Sequence, residues 1–274
     1  MNADKLSLRY RGGASLSKTE NGFRFTIPES RLHEFRLAEL DDITQQSRRS
    51  LSHHSLDLSL RARASAESMP GTWGFGVWND PFGLSLGFGG NPFQLPALPN
   101  AAWFFHASEE NYLSFRDPQV GGRVSGGVSI HPSGYSTAAV SRPPAAANGF
   151  LAQVFRSPRF DARLIPAGLA FPFSRKTTRR WLGRVIAEEG VALSVDVTQW
   201  HAYRLRWSPT RTVFEVDDAV VLETSVSPRP PLGLVIWMDN QYAAFTPEGK
   251  IGFGILENPE PAWLEIEDLK IGSI

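Results

Sequence analysis

Residues Trp200–Thr224 read WHAYRLRWSPTRTVFEVDDAVVLET. Tyr203, Leu205 and Trp207 alternate with Arg204 and Arg206, the period-two pattern of a strand with one apolar and one wet face. Val213–Val216 and Ala219–Thr224 then flank Asp217-Asp218, a pair suited to a tight hairpin turn. The spacing predicts strand, turn, strand, turn, strand, and it places the chain among antiparallel β proteins.

The same alternation recurs on both sides. In Gly22–Ile27, Phe23, Phe25 and Ile27 share a face opposite Arg24 and Thr26. In Ser55–Ala64, Leu56, Leu58, Leu60 and Ala62 alternate with Asp57, Ser59, Arg61 and Arg63. Trp263–Lys270 repeats the pattern near the end, and Leu232–Trp237 is a nearly continuous apolar run, as a strand covered on both faces would be. About a dozen such segments are separated by Gly, Pro, Asn and Asp. Only Thr177–Glu189 shows helical spacing, through Trp181, Leu182, Val185 and Ile186, with Ser174 or Thr177 available as its cap. Its basic run, Arg175-Lys176 and Arg179-Arg180, reads as a solvated helix face. Gly83–Asn100 reads as an ordered loop and Ser141–Asn148 as a Pro/Ala connector. No fixed-period repeat occurs. One all-β domain over 1–274, two sheets with one short helix, is the economical reading.

Composition narrows function. The chain has 274 residues, 24 Gly, 20 Pro, 31 aromatics and no cysteine, so disulfides, thiolate metal sites and cysteine nucleophiles are excluded. Lys+Arg and Asp+Glu balance at 28 each, which argues against a nucleic-acid partner. No apolar run is long enough to span a membrane. Met1–Gly13 is polar and lacks a secretory apolar segment, so a cytoplasmic location is expected. His53-His54 are adjacent and would point to opposite strand faces, unable to share one metal. Asp41-Asp42, after a strand over Glu34–Leu40, read as a turn rather than a cation site. Gly87–Gly90 lacks the Lys-Ser/Thr of a phosphate loop. No cofactor and no metal is expected.

The hairpin residues Trp200, His201, Tyr203, Trp207, Val216 and Asp217 resemble those of the concanavalin-like jelly-roll superfamily, most closely the laminarinase-type (family sixteen) glycoside hydrolases. Asp218 stands where that family usually has Gly. Trp263–Ile271 resembles the family's closing strand, and Gly71–Asn79 (GTWGFGVWN) its tryptophan-bearing cleft strand. The resemblance implies a two-sheet jelly roll with an aromatic-lined concave cleft. It also implies a Glu-x-Asp-x-x-Glu motif on the next strand, one acid acting as nucleophile and one as general acid. That strand here is Asn100–Ser108, NAAWFFHAS, which carries no carboxylate. Laminarinase-type hydrolysis is therefore not expected.

Three readings of function remain. The first is a carbohydrate- or glycoside-binding protein. Trp78, Trp103 and Trp237 would stack on a sugar ring, while Asn79, Asp80, Asp239, Asn240, Gln241 and Tyr242 would bond its hydroxyls. The second is a glycoside-active enzyme with relocated acids, Asp80 and Asp239 as acid/base pair and His106 assisting. The third is an interaction scaffold whose cleft is plugged by Phe82, Phe88 and Phe93. His106 is the weakest member of the set. It is three residues from Trp103, so a regular strand puts the two on opposite faces.

Overall fold

The computed structural model describes residues 6–42, 51–80, 98–116, 128–129, 148–158 and 174–274. The Gly/Pro/Phe loop with Phe82, Phe88, Phe93 and Gly87–Gly90, and all of the Pro/Ala connector but Asn148, lie outside the described residues. In chain order the first strands are β1 (Ser7–Arg11), β2 (Ser15–Lys18), β3 (Gly22–Ile27), β4 (Leu37–Asp41), β5 (Leu56–Ala64) and β6 (Thr72–Trp78). Then come β7 (Ala101–Ala107), β8 (Val128–Ser129), β9 (Gly149–Arg156), helix α1 (Arg175–Val185), β10 (Ala187–Ser194), β11 (His201–Ser208), β12 (Arg211–Val216) and β13 (Ala219–Thr224). The chain finishes with β14 (Gly233–Asp239), β15 (Gln241–Phe245), β16 (Ile251–Ile255) and β17 (Ala262–Gly272).

Eight strands form one sheet in the order β1-β4-β14-β6-β7-β9-β10-β8, and seven form the other, β13-β12-β11-β5-β17-β3-β2. Among the described strands every pairing is antiparallel except β8 with β10. The described residues thus form the all-β two-sheet sandwich with one short helix that the sequence pattern predicts. The β15–β16 hairpin stands apart from both sheets.

The alternation translates directly into the core between the sheets. Phe23, Phe25 and Ile27 of β3 face inward with Leu56, Leu58 and Leu60 of β5, Leu205 and Trp207 of β11, and Phe75 and Phe104 of the opposing sheet. Burying each large apolar side chain contributes roughly 1.5–3 kcal/mol. Asp217 and Asp218 turn the β12–β13 hairpin with φ of 48° and 63°, the two positive values a type I′ turn needs. The wet face of β5, β11 and β17 is a ladder of ion pairs. Glu265 takes both Arg24 and Arg63, and Arg63 also stacks over Trp200 and Trp263, 4.8 and 5.4 Å from their ring centroids.

The helix differs from its sequence reading. It starts at Arg175, with the Ser174 hydroxyl accepting the Thr177 N–H, and stops at Val185. Residues 187–189 belong to β10, because Glu188 and Glu189 pair across to Phe155 and Val154 of β9. Strand alternation there outweighs helical spacing. Arg179 is not on a solvated face. It is 1% exposed and donates to the carbonyls of Ser114, Arg116 and Phe245, tying the helix to the 111–116 segment and to β15.

Candidate functional site

Strand β6 pairs with β14 on one side and β7 on the other without a register break. Alternation therefore sorts the aromatic residues. Trp73 and Phe75 point into the sandwich, while Trp78 points to the outer face of the eight-stranded sheet. Trp103 and Phe105 of β7, Phe155 of β9 and Trp237 of β14 join Trp78 there. Trp73 is a core residue.

Gly74 and Gly76 make this outer cluster possible. A Cβ on Gly74 would lie 2.9 Å from Cη2 of Trp237, and one on Gly76 would lie 2.6 Å from Cα of Trp103. Without side chains at these two positions of β6, indoles from both neighbours close over it. Trp237 lies 5.7 Å from Trp103 and stacks parallel to Trp78 at 6.3 Å and 2°. Trp103 and Trp237 are buried, whereas Trp78 at the rim is half-buried. Helix α1 covers the far end of the cluster through Leu182, with Ile186 just beyond it.

Acids border the indoles. Leu37, Glu39 and Asp41 alternate with the inward Ala38 and Leu40 of β4, so Glu39 and Asp41 share the outer face. Glu39 stands opposite Trp237 and Asp41 opposite Val235. Arg9 of β1 holds both, its Nε 2.9 Å from Oδ2 of Asp41 and its Nη1 3.5 Å from Oε1 of Glu39. Burial, and then the hydrogen bond to Asp41, push the Glu39 carboxyl well above the usual carboxylate range, with Asp80 adding to the effect and Arg9 opposing it. The sequence reading ended the strand at Leu40 and treated Asp41-Asp42 as a turn. Asp41 is instead the last strand residue and fully buried, and Asp42 accepts the Leu234 N–H at 2.8 Å and pairs with His53. Extending the alternation of Ala38 and Leu40 by one residue would have found the pair.

The remaining candidate residues do not converge. Asp239 ends β14 on the outer face, accepting the Thr72 hydroxyl at 2.9 Å and the Gln241 N–H at 3.0 Å. Burial pushes its carboxyl up to about 7. It lies opposite Thr72 at the start of β6, whereas Asp80 lies beyond Trp78 at the other end. Six strand steps, about 20 Å, separate those ends. Asp80 and Asp239 thus cannot flank one glycosidic bond. His106 faces inward on a regular β7, stacked on Trp73 at 5.4 Å and 7°, and burial pushes its imidazole down to about 4. It takes no part in the outer face.

Two amides are used by the fold. The Asn240 side chain accepts from Arg36 N and donates to Ser30, Glu34 and Leu256, leaving nothing for a ligand. Asn79 bonds the backbone of Leu98 and Asn100, and so ties the end of β6 to the start of β7. Gln241 and Tyr242 sit on β15, where the Tyr242 ring lies over Gly252 and Gly254 of β16. A separate depression of about 320 Å³ on the outer face of the seven-stranded sheet is lined by Arg61, Arg204, Glu215, Asp218, Asp268 and Lys270. Arg204 there is committed to Asp57 and Arg206 beside it to Glu215. Among the described residues no cluster of three or more His, Asp or Glu could hold a metal ion, and no helix is long and apolar enough to cross a membrane.

No family model matches the chain, and no curated protein matches it. Solved structures similar to it include a legume lectin-like domain from Entamoeba histolytica, at 11% identity and TM-score 0.45, over 98% of this chain and 90% of that one. LamA from Z. galactanivorans in complex with laminaritriose and laminaritetraose is similar at 13% identity and TM-score 0.46, over 99% and 93%. An alginate lyase in complex with dimannuronate is similar at 9% identity and TM-score 0.42, over 92% and 74%.

Proposed function

We propose that the protein binds a carbohydrate or glycoside on the outer face of its eight-stranded sheet. The observation that carries this reading is the half-buried Trp78, stacked in parallel on Trp237 next to the acids Glu39, Asp41 and Asp80. An indole face offers the apolar plane that a sugar ring's C–H face requires, and carboxylates accept the hydroxyls at its edge. Trp78 is the platform. Trp237 and Trp103 fix its orientation from below. Asp80 is the hydroxyl acceptor, and Arg9 holds Glu39 and Asp41 beside Trp237.

Binding is favoured over hydrolysis. Asp80 and Asp239, the acid pair that hydrolysis would need, stand at opposite ends of β6. Thermal unfolding in the presence of a panel of methyl glycosides and laminari-oligosaccharides tests the reading. A binding glycan at 100 times its Kd adds about 2.7 kcal/mol to stability. A panel that leaves the melting temperature unmoved at millimolar concentration overturns it.

A further inference from the structure

The geometry points to a hydroxyl-binding subsite formed by Trp103 and Gln153 on this outer face, an inference that rests on the carbohydrate reading. The two residues are direct cross-strand partners on β7 and β9, so their Cβ atoms lie about 5 Å apart. They are 5% and 1% exposed. Among the described residues Nε1 of Trp103 has no acceptor and Oε1 of Gln153 has no donor. An orphaned donor and an orphaned acceptor thus belong to neighbouring side chains on one face of the sheet, in an interior where such groups are otherwise paired.

Among the described residues the fold supplies no partner. The cross-strand row runs Val235, Gly76, Trp103, Gln153, Gly190, so the residues flanking the pair on β6 and β10 carry no side chain. The amide is held in one orientation by Glu188. Gln153 Nε2 donates to Oε1 of Glu188 at 3.1 Å, while Oε2 of Glu188 accepts the Phe115 N–H at 2.8 Å. That arrangement leaves Oε1 as the open acceptor. The complement of one N–H donor and one carbonyl acceptor is a single oxygen that accepts once and donates once, which is a hydroxyl. Trp207 shows the contrast: its indole N–H is satisfied by the Pro228 carbonyl at 3.2 Å. Trp103 lies 6.1 Å from Trp78, so a ring seated on Trp78 brings its hydroxyls toward this pair.

Water and a ligand hydroxyl have the same hydrogen-bonding chemistry, and the experiment separates them. Methyl glucoside, galactoside and mannoside are titrated calorimetrically into the wild-type protein, followed by the monodeoxy derivatives of whichever binds. One deoxy position is expected to lose about tenfold or more in affinity, the worth of one to two neutral hydrogen bonds. Trp103→Phe and Gln153→Met are expected to bind the parent glycoside as weakly as wild type binds that derivative, and to bind the derivative no worse than the parent. The indole N–H resonance of Trp103 should move on addition of the parent glycoside to wild-type protein, a readout that needs no variant to fold. Glycoside binding with all deoxy derivatives equivalent and the Trp103 resonance unmoved means that water occupies the pair, and it overturns this inference alone. Absence of binding by any glycoside overturns the carbohydrate reading and this inference with it.

Discussion

The hydroxyl of Thr72 is 2.9 Å from Oδ1 of Asp239 and donates to it, while the same oxygen accepts the indole N–H of Trp237 at 2.9 Å. One side chain at the start of β6 thus orients both the aromatic floor of the outer face and a buried acid. The relay fixes the Trp237 ring on which Trp78 rests.

Asp239 gives a pH prediction. Its folded pKa, about 7, is raised above the ordinary 3.8 by burial. The stability linked to it is therefore fully present below about pH 4 and is lost as pH rises toward and through 7. Asp239→Asn, which keeps an acceptor for Thr72 and Gln241, should unfold at a temperature that falls less between pH 5 and pH 8 than that of wild type. Parallel melting curves for the two proteins across that range would show that Asp239 is not the titrating group.

His106 gives the opposite slope. Its folded pKa of about 4 is depressed from 6.5 by burial against Trp73. The neutral ring's contribution is present above about 6.5 and is lost as pH falls toward 4. His106→Phe keeps an aromatic stack and removes the charge, so its acid-unfolding midpoint should move to lower pH. An unchanged midpoint by circular dichroism would contradict the assignment.

Arg179 is expected to be the most costly cation to remove. Arg179→Met keeps the apolar stem but deprives three carbonyls of their donor. The loss should be about 3 kcal/mol, or roughly 10 °C in melting temperature for a chain of this length. Arg180→Met, one residue on and exposed, should shift the transition by less than about 2 °C. Equal shifts for the two variants would refute the latch.

How far these features could be read from sequence depends on whether the signal was local. The strands around Leu58, Leu205 and Leu264 were legible because a half-buried strand writes its period into every second residue. The Asp217-Asp218 turn was legible for the same reason. Arg179 was not, because its acceptors are backbone carbonyls more than 60 residues away, and no side-chain pattern announces a carbonyl. Asn240 was misread for a related reason. An Asn at a strand end looks the same whether its amide serves a ligand or serves Ser30, Glu34, Leu256 and Arg36. The outer-face tryptophans Trp78, Trp103 and Trp237 were all named in advance, yet only the register of β14, β6 and β7 shows them stacked in one cluster. Asp41 was missed because the β4 alternation was cut one residue short of it, and Glu39, inside that strand, because nothing local marks its pairing with Arg9 of β1.

The most direct test of the account is calorimetric titration of the glycoside that stabilises the protein best into three samples: wild type, Trp78→Ala and His106→Phe. Trp78 is the half-buried platform and His106 faces the opposite side of the sheet. The account predicts that Trp78→Ala loses about tenfold or more in affinity, the worth of one aromatic stacking contact and its buried area, while His106→Phe binds as wild type does. Undiminished binding by Trp78→Ala would contradict the placement of the site on the outer face of the eight-stranded sheet.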